Sequence, residues 1–289
     1  MGAADRLREG DLDACLAELQ DEVRNDPSDA KSRVFLFQLL AVLGQWERAA
    51  TQLEVAGDLD HGTLSMVSAY RHLVASEPFR REVFAGNRSP LIFGDPEEWV
   101  ALLIESTKLS AAGQLEQAGE LRDEAFEAAP TTRGTITAVD GENLTSGPQS
   151  FEWIADADTR LGPIIEAMVG DRYYWIPVQR IAHIQFEPPV DLRDMVWAPA
   201  YFTWANGGEA TGFIPTRYPG SDVGEEHDLK LARRTDWTEN AAGCFGLGQR
   251  LFATDAGEFP ILQIREVTLE TGEGGDESGA DAGDGEDHG

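Results

Sequence analysis

A phrase of six residues recurs in the first half of the chain and restricts what that half can fold into. Gly10-Asp-Leu12-Asp-Ala-Cys15, Gly44-Gln-Trp46-Glu-Arg-Ala49 and Gly113-Gln-Leu115-Glu-Gln-Ala118 share one pattern. Each places a large apolar residue two positions after a glycine and a small residue five after it. Gly44 follows Gly10 by 34 residues, and Pro27 and Pro130 lie seventeen residues beyond Gly10 and Gly113. A helical hairpin calls for this set of residues. Glycine closes the first helix in a left-handed conformation, a small side chain lets the two helices approach, and proline stops the second. Gly10, Gly44 and Gly113 are therefore predicted to lie between antiparallel helices.

A 34-residue period of this kind resembles the tetratricopeptide repeat. The middle copy has His61 where a proline is expected, and residues 62–95 do not carry the phrase. That stretch reads as irregular helices with breaks at Ser89-Pro90 and Gly94-Asp95-Pro96. Asp95 reads as an N-cap and Pro96 as the first residue of a helix running to Ala112. Such a region supplies either a concave peptide-binding face or a short helical bundle, and two or three repeats make only a shallow groove.

The composition then changes. Residues 1–130 are rich in Ala, Leu, Glu and Arg at helical spacing, and residues 131–150 are polar and punctuated by Gly and Pro, as a linker would be. Residues 151–269 hold five of the seven Trp, at 153, 175, 197, 204 and 237, in short alternating runs that fit strands and turns. Residues 270–289 contain eight acids, seven Gly and no Lys or Arg, the composition of a disordered acidic tail. The predicted fold class is multidomain, a tetratricopeptide-like helical region followed by an α+β domain with antiparallel strands. Trp153, Trp175, Trp197 and Trp204 are expected in the core of that second domain.

Charge narrows the partners. Lys and Arg number 23 against 52 Asp and Glu, a formal net charge of −29, of which the tail carries only a minor share. Nucleic acid and anionic membrane surfaces both demand clustered cations, so neither is an expected partner. No stretch approaches the ~20 apolar residues of a bilayer span, and the first ten residues lack the apolar core of a secretion signal. Cys15 and Cys244 alone cannot build a disulfide framework or a cysteine zinc site. A cytoplasmic protein is expected.

Signatures of catalysis are missing: there is no Cys-x-x-Cys, His-Glu-x-x-His or Gly-x-Ser-x-Gly. The five His are scattered without metal-ligand spacing, and His183 fits an exposed strand position opposite Ala182, Ile184 and Phe186. Gly243-Cys-Phe-Gly246-Leu-Gly248-Gln-Arg250 lacks the Gly-Lys-Ser/Thr of a phosphate loop and reads as a turn or bulge between strands. Asp156 and Asp158 offer hard oxygens for a divalent cation, yet two carboxylates with no further ligand also fit a solvated strand end before Arg160. Arg160, Asp191, Arg193, Asp194, Arg217 and Arg250 either form ion pairs that lock the sheet or line a partner site. No catalytic, cofactor or metal residue is assigned, and the partner-binding residues are left open.

Long ordered strings in the second half carry a family resemblance. Phe151-Glu-Trp-Ile-Ala-Asp-Ala-Asp158-Thr-Arg-Leu-Gly-Pro163, Arg172-Tyr-Tyr-Trp-Ile-Pro177 and Glu187-Pro-Pro-Val-Asp-Leu-Arg-Asp194 are followed by Trp197-Ala-Pro-Ala and Phe202-Thr-Trp-Ala-Asn-Gly-Gly208. Ile214-Pro-Thr-Arg-Tyr218, Phe245-Gly-Leu-Gly-Gln-Arg250 and Ala253-Thr-Asp-Ala-Gly257 complete the set. They resemble the ImpE/TagJ family of type VI secretion accessory proteins, over roughly residues 5–268; the acidic tail and the insert at 142–149 depart from it. The resemblance implies a non-catalytic accessory protein. It would bind a helix of the small contractile-sheath subunit (TssB-like) and influence sheath disassembly by the ClpV unfoldase. The residues alone leave two alternatives, a metal-assisted enzyme using Asp156 and Asp158, and a brace that holds other secretion components.

Overall fold

The computed structural model describes residues 2–140, 143–144 and 147–270. The expected acidic tail beyond Glu270, and part of the 142–149 insert, lie outside them. The first half is helical: α1 Ala3–Glu9, α2 Leu12–Asn25, α3 Ala30–Val42, α4 Trp46–Leu59, α5 Leu64–Phe84, α6 Glu98–Ala111 and α7 Leu115–Ala128. Gly10, Gly44 and Gly113 each take a left-handed φ, between +67° and +81°, at the α1–α2, α3–α4 and α6–α7 junctions. Five residues on, Cys15, Ala49 and Ala118 are fully buried where the paired helices meet. Pro27 and Pro130 fall just past the ends of α2 and α7. The repeat reading therefore holds at all three glycines.

Two local readings change. Residues 64–84, expected as irregular pieces, form one 21-residue helix that runs through Pro78. A prolyl ring in a helix interior costs about 3 kcal/mol, which tertiary packing offsets here: Tyr70, Leu73, Val74 and Val83 are buried on both sides of it. The N-cap of α6 is Glu97 in place of Asp95, with no side-chain cap bond, and Pro96 precedes the helix.

The second half is strand-rich: β1 Leu91–Ile92, β2 Gly134–Asp140, β3 Asn143–Leu144, β4 Gln149–Phe151, β5 Ile154–Asp156, β6 Ile164–Val169, β7 Arg172–Pro177 and β8 Ile181–Phe186. They are followed by β9 Trp197–Trp204, β10 Glu209–Pro215, a short α8 His227–Lys230, β11 Thr235–Asn240, β12 Gly243–Gly248, β13 Leu251–Thr254, β14 Gly257–Pro260 and β15 Ile264–Leu269. One sheet runs β1-β7-β6-β10-β9-β8-β15-β2-β3, with β4 also on β2. Only the β1–β7 pair is parallel among the described strands. A small sheet β14-β13-β5 and the hairpin β11–β12 stand apart. Residues 134–140 and 149–150, inside the stretch expected as a linker, thus belong to strands of the large sheet.

Strand alternation sends successive side chains to opposite faces, and here each face has its own core. On β9, Trp197 packs with the helices, whereas Ala198, Ala200, Phe202 and Trp204 join a second core with Phe252 and Phe259 of the small sheet. Tyr173 and Trp175 on β7 belong to the helical side, with Ile176 on the other. The helices and the sheet therefore share one apolar core. Of the four tryptophans expected inside, Trp175, Trp197 and Trp204 are buried, while Trp153 is 41 % exposed.

Candidate functional site

Glu166 stands between Ile164 and Met168 on the helix-facing side of β6, so the alternation that buries its neighbours buries a carboxylate with them. A charge without water is tolerated only when it is paired and hydrogen-bonded. Arg80 of α5 supplies the partner, its Nε and Nη2 donating to the two Glu166 oxygens at 2.7 Å each. Tyr173 Oη donates to Glu166 at 2.6 Å and itself accepts from Trp175 Nε1 at 2.8 Å. Arg250 reaches the same carboxylate from the other side and also pairs with Asp156. Arg160 pairs with Asp158, which in addition accepts from Gly246 N–H at 2.9 Å. Glu77, one turn before Arg80, accepts from Trp197 Nε1 at 2.8 Å. The result is a chain of buried charges across the seam between helices and sheet.

Environment sets the protonation of its members. Burial alone would raise Glu166, but Arg80 and Arg250 hold its carboxyl down to about 2. Burial pushes Asp156 up to about 7 against the pull of Arg250, with Asp158 adding to the rise. Burial also raises Glu77, which Arg80 opposes.

Other residues singled out in the sequence fasten the same seam. Arg217 is buried and donates from Nη1 to the Val42 carbonyl at 2.7 Å and to the Lys230 carbonyl at 2.6 Å, so it caps α3 and α8 together. Arg193 pairs with Asp191 at 3.0 Å and lies over the Tyr70 ring, and Asp194 accepts from the backbone N–H of Val190 and Asp191. Asp156 and Asp158 are not a solvated strand end. Both are buried and engaged by Arg250 and Arg160, and no cluster of metal-holding side chains occurs among the described residues. Residues 243–248, expected as a turn or bulge, are the strand β12. Gly246 is required there because a Cβ would collide with the Tyr218 ring. His183 sits on β8 with Nε2 2.8 Å from Glu266, away from the seam. Glu77, Arg80, Glu166 and Tyr173 were not singled out in the sequence; the one available signal was a lone Glu in the apolar run Ile164–Val169.

Two openings flank this network. A cleft of about 250 Å³ lies between α4, α5 and the turn at 219–223, lined by Trp46, Arg80, Arg81, Phe84, Arg160 and Val223 among others. A wider groove of about 440 Å³ runs between α1, the turn at 189–195 and residues 231–233. Leu7, Pro189, Val190, Leu192, Met195 and Leu231 make it mostly apolar, and Arg8, Asp191 and Arg233 also line it. Val190 is 85 % exposed there. Among the described residues, neither opening pairs a nucleophile with an orienting base.

The profile of the ImpE protein family matches residues 148–268. The type VI secretion system accessory component TagJ of Pseudomonas aeruginosa is 45 % identical over 270 residues, covering 93 % of this chain and 92 % of that one. A protein of Vibrio parahaemolyticus solved by X-ray crystallography superposes with a TM-score of 0.79 at 27 % identity, over 93 % of this chain and 97 % of the other. With nearly its whole length matched at that identity, the chain belongs to the ImpE/TagJ family.

Proposed function

We propose that the protein is a non-catalytic, cytoplasmic adaptor of a bacterial type VI secretion system. It binds an amphipathic helix of the small contractile-sheath subunit (TssB-like) and so modulates sheath assembly or disassembly by a ClpV-type unfoldase. The observation that carries this reading is the apolar groove between α1 and the 189–195 turn, with Val190 standing almost free in solvent. A helix presenting apolar residues at i, i+3, i+4 and i+7 fits such a groove. Family membership supplies the secretion context, since the relative is an accessory component. The acidic body adds an electrostatic attraction for basic residues flanking that helix. No described helix is long and apolar enough to cross a membrane.

A fluorescently labelled peptide of the cognate subunit's N-terminal helix tests this by anisotropy. The full chain is expected to bind it in the micromolar range or tighter, about −8 kcal/mol, and added salt to slow association. Val190→Asp, at an exposed position, is expected to weaken binding at least about tenfold with the fold intact. Absence of binding at high micromolar concentration would overturn the adaptor reading. Unchanged affinity in the variant would move the site elsewhere.

A further inference from the structure

The cleft above the buried network has no part in the adaptor reading, yet three guanidinium groups converge on it. Arg80, Arg81 and Arg160 all line it. All three retain unused N–H groups. Arg160 directs Nε and Nη2 to Asp158 and is held between the rings of Phe84, 5.2 Å away, and Phe245, 4.8 Å away. Its Nη1 makes no hydrogen bond among the described residues. Arg80 Nη1 has only Glu77 Oε2, at 3.4 Å, which is the far limit of a hydrogen bond. Arg81 uses Nη2 alone, on Asp222 at 2.7 Å, and its side chain is 55 % exposed. Asp222 itself is fixed, packed against Gly44 so closely that a Cβ there would strike its carboxylate.

We infer that this cleft binds a carboxylate carried on an apolar group. Each guanidinium already faces a carboxylate, Arg80 on Glu166 and Glu77, Arg160 on Asp158 and Arg81 on Asp222, so the ligand's carboxylate is held by the N–H groups these pairs leave free and not by a surplus of charge. A phosphate dianion would bring a second negative charge into a chain of net charge −29. Guanidinium N–H pairs match the planar carboxylate in geometry as well as charge. Trp46, Phe84 and the 70 % exposed Val223 then cover the apolar portion. A volume of about 250 Å³ admits one aliphatic side chain with its carboxylate and little more. Both a peptide's C-terminal carboxylate and a free small carboxylate carry this chemistry.

Calorimetric titration of the full chain with N-acetyl-leucine and with N-acetyl-leucinamide is the test. The carboxylate is expected to bind at least about tenfold more tightly than the amide. Acetyl-Gly-Gly-Leu with a free C-terminus distinguishes the sources: tighter binding than N-acetyl-leucine identifies a protein C-terminus, equal or weaker binding a free small carboxylate. Arg160→Gln should abolish binding, but it also leaves Asp158 unpaired. Val223→Asp therefore serves as the second variant, placing an anion at an exposed rim; it should reduce carboxylate affinity at least about tenfold with the melting temperature unchanged. Equal binding of acid and amide, no saturable binding at about 5 mM, or an unaffected Val223→Asp variant would each overturn the assignment. Neither leucine probe is a sheath peptide, so this outcome is separable from that of the adaptor test.

Discussion

Replacing Glu166 by glutamine is expected to cost about 3–5 kcal/mol, the penalty for breaking a buried ion pair by removing one partner. The structure supplies the reasons. Glu166 has no solvent exposure and joins two arginines, Arg80 and Arg250, whose side chains are 7 % and 0 % exposed. Glutamine keeps the shape but turns one acceptor into a donor aimed at donors. Arg80 then keeps only Glu77, at 3.4 Å, as a charged partner beside the Arg217 carbonyl at 2.8 Å, and Tyr173 loses its 2.6 Å bond to an ionised acceptor. Against a total stability on the order of 5–15 kcal/mol this is a large fraction. The exposed pair Arg133–Glu152, with side chains 63 % and 67 % accessible, is the control, and Glu152→Gln should cost under about 1 kcal/mol. Equilibrium urea denaturation followed in parallel by tryptophan fluorescence and far-UV circular dichroism measures both. Because Arg80 and Glu166 join the helices to the sheet within one apolar core, the two signals are expected to shift together. A loss below about 1 kcal/mol for Glu166→Gln, or transitions that separate by probe, would refute the reasoning.

Further outcomes follow from the same geometry. Asp156 ionises at about 7 in the fold but near 3.8 when exposed, so the native state takes up its proton first and stability rises as pH falls from 7 to 5. Relative to Asp156→Asn, the slope should be at most about 1.4 kcal/mol per pH unit, and a flat or opposite slope would count against it. Glu166, held down to about 2, acts in the reverse sense, its contribution being lost only as pH falls below about 4.5 toward 2. Gly113→Ala should cost only the left-handed penalty of about 1–2 kcal/mol, since a Cβ there has open space; Gly44→Ala should cost more because that Cβ meets Asp222. Equal melting-temperature losses would contradict this. Deleting residues 271–289 is expected to leave the melting temperature nearly unchanged, because the segment offers no core residues and its acids add like charge; a clear drop would show that it docks.

The sequence by itself determined whatever depends on neighbours along the chain. Gly10, Gly44 and Gly113 announced left-handed helix ends because only glycine occupies that conformation without strain, and the small residues five positions on marked the helix crossings. The aromatic, alternating character of the second half likewise foretold antiparallel strands, and its ordered strings identified the family. The tertiary structure decided what depends on distant partners. Residues 64–84 read as irregular pieces because the packing of α5 onto the sheet, which offsets Pro78 in the helix interior, is not visible locally. Thr131–Ser150 reads as a linker because its main strand, β2, is stabilised by hydrogen bonds to β15, more than a hundred residues away. The candidate site was least legible. Asp156, Asp158, Arg160 and Arg250 drew notice as isolated charges, but Arg250 meets Asp156 and Glu166 from 94 and 84 residues away, Glu166 meets Arg80 from 86, and nothing local distinguishes a buried arginine from a solvated one. Burial and pairing of charge are properties of the assembled fold, since the desolvation that makes them consequential exists only once helices and sheet have closed over them.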